Sequence, residues 1–195
     1  IYFSLLLKPQ FGIENVPLIT SYAACCLAET IEECTGHDVQ IKWVNDVFVD
    51  GRKVSGILTE ASFSAENMQL SHAVVGIGVN VMPPTHGFTQ ESDSIAGTLS
   101  TLGADEGDLR ARLIAGTVNR FMEHYPEIPN KPHLADYRKR SLLTGKHVHV
   151  YEGNEQFEAD VLDVNDDFTL LVRLQDGSER SLVSGDVHIP SSQLA

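Results

Sequence analysis

The sequence predicts an α+β protein, in which helices pack on a mixed β-sheet and a small β-barrel follows. Strand-like apolar runs surround one long helical stripe in the first half, and only short alternating runs follow residue 145. At 195 residues the chain is long enough for a core domain with a small second domain. We therefore expect a main domain at residues 1–142 and a barrel domain at residues 143–195.

The first segments give a strand, a helix and a second strand. Ile1–Leu7 is apolar and predicts a buried strand. A helix is expected from Pro17 to Thr35, because apolar side chains recur there at helical spacing and Gly36 follows as a stop signal. Val39–Lys42 then begins a strand that delivers a lysine at its end.

The next stretch predicts a hairpin with polar groups along one face. Lys42–Asp46 and Gly56–Glu60 stand on either side of the polar turn Asp50–Lys53, and both flanks are rich in β-branched and aromatic residues. The run His72–Asn80 is apolar enough for a strand buried on both faces. The long irregular stretch Met82–Ser94 follows it directly, so we expect this loop to border a ligand site.

Two shorter helices and a barrel complete the predicted fold. Helical patterns cover about Leu109 to Tyr125 and Leu134 to Leu142, and the composition shifts at Thr144. The short runs beyond it are separated by turn residues such as Asp176-Gly177, which predicts antiparallel strands. About 50 residues is near the lower limit for independent folding, so this barrel should pack on the main domain.

Composition excludes several classes of function. A net charge of −13 argues against a nucleic-acid-binding surface, and no apolar run reaches the roughly 20 residues of a membrane span. The three cysteines lie in one predicted helix and suggest reduced thiols in a cytoplasmic protein. The eight histidines show no metal-ligand spacing, so no protein metal site is expected.

Four polar positions could carry chemistry, although each has an ordinary structural reading. Lys42 could be a fixed cation for an anionic ligand or a solvated lysine at a strand end. Asn45 and Asp46 could contact a ligand or make a turn. Asn80 offers a donor and an acceptor together, which suits an adenine edge, but asparagine also caps strands.

Three blocks together resemble consecutive signatures of the biotin protein ligases: Lys42–Asp46, Gly56–Glu60 and Gly76–Val81. Their order, spacing and residue types all agree, and only Val44 departs, where the family usually has proline. The resemblance implies the fold that this family shares with lipoate ligases, related to class II aminoacyl-tRNA synthetases. It also implies that the C-terminal barrel is SH3-like.

The resemblance implies an ATP-dependent ligase that activates biotin as biotinyl-5′-AMP and transfers it to a lysine of a biotin carboxyl carrier protein. ATP and Mg²⁺ would be required, and homodimers are common in the family. Neither DNA nor a membrane is expected as a partner. A lipoate–protein ligase, or a non-catalytic remnant that binds biotin or the carrier, are the rival interpretations.

The same resemblance assigns roles to individual residues. Lys42 would be the catalytic cation that contacts the biotin carboxylate or its adenylate, and Asp46 could reach Mg²⁺ through water. Backbone and apolar contacts to the biotin ring would come from the second block. The residues expected to bind biotin or the adenylate are Lys42, Asn45, Asp46, Gly56, Ile57, Leu58 and Asn80, with Gly78 and Asn80 at the nucleotide.

One family motif has no counterpart in the printed sequence. In the family, a Gly/Arg-rich loop that covers the adenylate phosphates precedes the strand that Ile1–Ser4 resembles, and the repressor-type ligases carry a winged helix further upstream. The chain also begins at Ile1 rather than methionine. We therefore expect it to be a fragment that lacks this loop, in which case its own activity could be lost.

Overall fold

Strands and helices alternate in the first part of the chain, and strands alone make up the last part. The computed structural model describes residues 1–64, 70–89, 95–102 and 107–190. The helices are α1 (Val16–Thr35), α2 (Leu109–Glu123) and α3 (Leu134–Lys139). The first strands are β1 (Tyr2–Leu7), β2 (Val39–Lys42), β3 (Asp46–Val49), β4 (Arg52–Phe63) and β5 (Leu70–Val79). The later strands are β6 (His147–Glu152), β7 (Glu155–Val164), β8 (Leu170–Leu174), β9 (Glu179–Leu182) and β10 (Asp186–His188).

The first sheet has the order β1-β5-β4-β3-β2, and all of its strand pairings are antiparallel. The prediction of a mixed sheet is therefore wrong for the described strands. Short turns connect β2 to β3 and β3 to β4, and such turns can only join antiparallel neighbours. In the part of the chain that the structure describes, parallel pairing is confined to two isolated bridges, Ile41 with Ser141 and Lys53 with Ala96.

Helices cover one face of this sheet. The predicted long helix is confirmed as α1, which buries Ile19, Leu27 and Ile31 and ends at Gly36 with a left-handed φ of 74°. Burial along β5 alternates between buried and intermediate, so the prediction that this strand is buried on both faces is wrong. The edge strand β1 is not a buried strand either, because Tyr2 is 92% exposed.

The second sheet has the order β10-β6-β7-β8-β9, again with antiparallel pairings throughout. The described strands form an open sheet, since no pairing joins β9 to β10. It packs on the first part of the chain, as predicted: Trp43 Nε1 donates to the Phe168 carbonyl at 2.8 Å, and the His133 ring stacks on Phe168. Among the described residues, no helix is long and apolar enough to cross a membrane.

Candidate active site

A cavity of about 820 Å³ opens where β4 and β5 meet the loop that follows β5. Gly56, Gly78 and Asn80 line it from the sheet, and Arg110 lines it from the start of α2. Residues 82–85 and 88 of the loop form another wall. This confirms that the loop borders a cavity, although residues 90–94 of the predicted stretch lie outside the described residues.

Glycines leave one face of the sheet without side chains. Gly56 pairs with Gly78, and Gly76 pairs with Leu58, which is 62% exposed on the same face. A Cβ placed on Gly78 would lie 3.1 Å from the ring of Tyr2, so a side chain there would displace the tyrosine. These glycines therefore make a shallow, open surface that continues from the cavity; we call it the glycine face.

Lys53 provides a cation at the wall of the cavity, which the sequence interpretation did not assign. Its Nζ lies 2.6 Å from Asp46 Oδ1, and their side chains are 34% and 18% exposed. A register shift between Val47 and Phe48 brings Lys53 over Gly56, since a Cβ on that glycine would lie 3.6 Å from Lys53 Cε. The sequence interpretation placed Lys53 in the polar turn Asp50–Lys53 and therefore did not consider it for the site. Only the bulge indicates that this lysine reaches the cavity.

Lys42, the predicted catalytic residue, is not among the residues that line the cavity. Its side chain is 17% exposed, it pairs with Asp46 across β2 and β3, and its Nζ lies 3.9 Å from Asp186 Oδ1 of β10. Burial lowers the pKa of Lys42, while the charges of Asp46 and Asp186 oppose this effect. The structure thus places Lys42 between the two sheets, behind the lysine that reaches the cavity.

Asn45 and Ile57 hold the hairpin together rather than lining the cavity. Asn45 Nδ2 donates to the Ile57 carbonyl at 2.6 Å, and the Ile57 amide donates to the Asn45 carbonyl at 3.1 Å. The side chain of Ile57 is 2% exposed in the core, on the opposite side of the strand from the glycine face. The Ile57 side chain thus packs in the core, whereas Leu58 remains accessible, and the contacts predicted for both residues with biotin stay predictions. The Trp43–Val44 peptide bond, at the family's usual proline position, is cis.

Asn80 stands at the cavity with a side-chain amide that no other described residue engages. Its backbone is fixed, since its amide donates to the Val54 carbonyl at 2.8 Å and its carbonyl accepts from Leu99 at 3.0 Å. A rigid backbone with an unused amide suits recognition of a ligand that has both donors and acceptors. Asn80 thus lines the cavity, and its predicted role toward adenine stays a prediction.

Neither thiols nor metal ligands add to this site. Cys25 and Cys26 are buried in α1, and burial raises the pKa of both thiols, to about 12 for Cys26. Within the described ranges, no group of three His, Cys, Asp or Glu side chains is arranged to hold a metal ion. The cavity therefore combines the Lys53–Asp46 ion pair, the Asn80 amide and a sheet surface floored by glycines.

Residues 1–80 match the model of the biotin/lipoate A/B protein ligase family. Over these residues the chain is similar to that family.

Among curated proteins, the bifunctional ligase/repressor BirA of Bacillus subtilis is 29% identical over 192 residues, covering 97% of this chain and 58% of the relative. The biotin–[acetyl-CoA-carboxylase] ligase of Paracoccus denitrificans is 39% identical over 80 residues, which is 40% of this chain and 32% of the relative.

The fold is that of a solved ligase structure. Biotin protein ligase from Aquifex aeolicus, in complex with biotin and ATP, superposes with a TM-score of 0.75 at 23% identity, covering 97% of this chain and 77% of that structure. This likeness extends across both sheets, so the second sheet is part of the shared architecture. The chain spans little more than half the length of the Bacillus relative.

Proposed function

We propose that the chain is the catalytic part of a biotin–protein ligase, which activates biotin with ATP and transfers it to a lysine of a biotin carboxyl carrier protein. The Bacillus and Paracoccus relatives, both named as ligases, support this reaction. The observation that carries the proposal is the Lys53–Asp46 pair over Gly56, at a cavity that also contains the unused Asn80 amide.

The proposed reaction needs a fixed cation twice. First, a biotin carboxylate oxygen attacks the α-phosphorus of ATP; the mixed anhydride biotinyl-5′-AMP forms and pyrophosphate leaves. Then the carrier lysine amine attacks the biotinyl carbonyl, an amide forms, and AMP leaves. Negative charge develops on phosphate or carbonyl oxygens in both steps, so an ammonium that is already in place stabilises each transition state. Lys53 is such a group, because Asp46 fixes its position.

We assign this cation to Lys53 and give Lys42 a supporting role. Lys42 is paired with Asp46 across β2 and β3 and interacts with its charge, and its Nζ lies 3.9 Å from Asp186 of the second sheet, so it would add positive charge behind the Lys53–Asp46 pair. The biotin ring would lie on the glycine face against Leu58, and adenine would lie at Asn80. Gly56 and Gly78 would let both ligands approach the backbone closely.

Mg²⁺ fits this site only as a partner of ATP. Mg²⁺ in phosphate sites keeps several waters and takes one or two carboxylates together with phosphate oxygens. Asp46 is the carboxylate next to the cavity cation that could supply such a ligand. When bound, the ion would neutralise phosphate charge, while Lys53 would remain the fixed positive group of the chain.

We also propose that residues 143–195 are a separate SH3-like barrel domain beside a catalytic domain of residues 1–142. Five short antiparallel strands with tight turns support it. The contacts of Trp43 and His133 with Phe168 support packing of this domain on the catalytic one.

The test is a ligation assay with biotin, MgATP and a biotin carboxyl carrier domain. We expect biotinylated carrier, release of pyrophosphate, and a higher melting temperature when biotinyl-5′-AMP binds. Transfer of lipoate in place of biotin would reassign the chain as a lipoate–protein ligase. Biotin binding without pyrophosphate release would make it a non-catalytic binding module.

A further inference from the structure

The cavity has a second cation that the proposed reaction has not used. Arg110 lines it from the first turn of α2, and no described carboxylate forms an ion pair with this guanidinium. By contrast, each of the other arginines makes an interaction, mostly with carboxylates. These arginines are Arg52, Arg112, Arg120, Arg138, Arg140, Arg173 and Arg180.

Charge balance and helix stability do not explain an arginine that pairs with no carboxylate of the described ranges. The chain has 27 acidic against 14 basic side chains, so carboxylates are plentiful elsewhere on its surface. The first turn of α2 carries no acidic residue, and the helix dipole disfavours a cation at a helix N-terminus. Arg110 therefore destabilises its own helix slightly unless an anion binds beside it.

The charge of Arg110 reaches the wall of the cavity. Arg110 and Ile1 line the same cavity. The Ile1 amine is fixed at the end of β5 by a 2.7 Å hydrogen bond to the Val79 carbonyl. Val79 lies between Gly78 and Asn80, which line the same cavity.

Lys53 and Arg110 differ in how much of their positive charge is available to bind an anion. Lys53 is engaged by Asp46 at 2.6 Å, so much of its charge is already balanced. Among the described residues Arg110 has no such partner, and a guanidinium presents a planar fork of donors that matches phosphate oxygens bidentately. A nucleoside triphosphate carries more negative charge than one engaged lysine can neutralise, which calls for a second cation.

We propose that Arg110 binds the β- and γ-phosphates of ATP, and so selects the triphosphate over AMP. This assignment rests on the proposed function. Lys53 then serves the reacting carboxylate and α-phosphate, and Arg110 serves the end of the nucleotide that leaves as pyrophosphate.

The test is calorimetric titration of the chain with ATP, AMP, pyrophosphate and biotin, using the wild type, Arg110→Ala and Arg112→Ala. We expect Arg110→Ala to weaken ATP and pyrophosphate binding about 10- to 100-fold, as for the loss of charged hydrogen bonds, with AMP and biotin unchanged. Arg110→Lys should recover part of the loss. Arg112→Ala is the matched control, because Arg112 is in the same helix but pairs with Asp108 at 3.8 Å and lines a different cavity between α1 and α2.

Each other outcome overturns the assignment. An equal loss for AMP or for biotin would move Arg110 away from the β- and γ-phosphates. An equal loss in Arg112→Ala would reduce the effect to general surface charge. If the wild type binds ATP and Arg110→Ala binds it equally well, the inference is rejected and the ligase proposal remains intact. If the wild type binds no nucleotide, both are rejected. Melting curves of the variants check that each remains folded.

Discussion

The hairpin of β2, β3 and β4 carries two lysines, and they belong to different regions of the molecule. Lys53 lies at the cavity, one-third exposed, beside Asp46. Lys42 lies in what we call the junction, where it meets Asp186, while Trp43 and His133 contact Phe168 of the second sheet. The block Lys42–Asp46 therefore has two roles: Asp46 positions Lys53 at the cavity, and Lys42 and Trp43 connect the two sheets.

Replacing each lysine with alanine should separate the role of Lys53 at the cavity from the role of Lys42 at the junction. Because a preorganised cation acts on the transition state, we expect Lys53→Ala to slow biotinyl-adenylate formation roughly 10²- to 10³-fold. Lys42→Ala should slow it much less and should instead lower the urea midpoint of unfolding. Pyrophosphate release under saturating biotin and MgATP measures the first effect, and fluorescence of Trp43 measures the second.

The comparison would have to be reversed if Lys42→Ala lost adenylation while Lys53→Ala retained it. That result would restore Lys42 as the catalytic cation, as the signature block alone had suggested. Lys146→Ala is a suitable control for nonspecific loss of positive charge, because this lysine precedes β6 and does not line the cavity.

The junction should also respond to acid, through His133. This side chain is 5% exposed, and burial lowers its pKa from 6.5 to about 4. The unfolded chain therefore binds a proton near pH 6.5 that the folded chain refuses until about pH 4, so stability falls as the pH drops through this window. Between pH 7 and pH 5 the expected loss is about 2 kcal/mol.

His133→Phe should remove this part of the pH dependence. Ser21 Oγ donates to the Leu18 carbonyl at 3.1 Å and keeps that bond when the imidazole, 2.9 Å away, is replaced. His147→Gln is the contrasting variant: Asp160 raises the pKa of this exposed histidine, so it cannot cause a loss toward acid. Urea denaturation at pH 5 and pH 7 decides the matter, and an unchanged slope in His133→Phe would place the acid sensitivity elsewhere.

Local patterns were sufficient to predict the helices and strands, but not which face of each one is buried or which element it contacts. The helical stripe of α1 and its stop at Gly36 follow from spacing and a left-handed residue, so both were predictable. The two-sided burial expected for β5 failed, because an apolar run does not reveal whether helices cover one face or both.

The candidate site was predictable to a similar extent. Asn80 and the loop after β5 reached the cavity as expected, since chain order alone places them together. Lys53 was missed because a one-residue bulge decides its direction, and Arg110 because α2 is distant in sequence. Lys42 lies at the junction rather than at the cavity wall, because spacing does not distinguish a strand end next to a second sheet from a ligand wall, and its catalytic role stays a prediction.

The smallest expected effect concerns Asp186, the carboxylate that the second sheet contributes to the junction. Its side chain is 67% exposed and its Oδ1 lies 3.9 Å from Lys42 Nζ, while Oδ2 accepts from His188 Nε2 at 2.9 Å. Exposed ion pairs stabilise proteins by less than about 1 kcal/mol, so Asp186→Asn should cost no more than this in urea unfolding.

A double-mutant cycle between Asp186→Asn and Lys42→Ala sharpens the comparison further. Lys42 is mostly buried, and each carboxylate beside it offsets part of the lowering of its pKa by burial. If Asp46 is the main electrostatic partner of Lys42, the coupling between Lys42 and Asp186 will be small. The contacts of Trp43 and His133 will then stabilise the junction. A coupling above about 2 kcal/mol, beyond the range of exposed pairs, would instead make this ion pair the main link between the sheets.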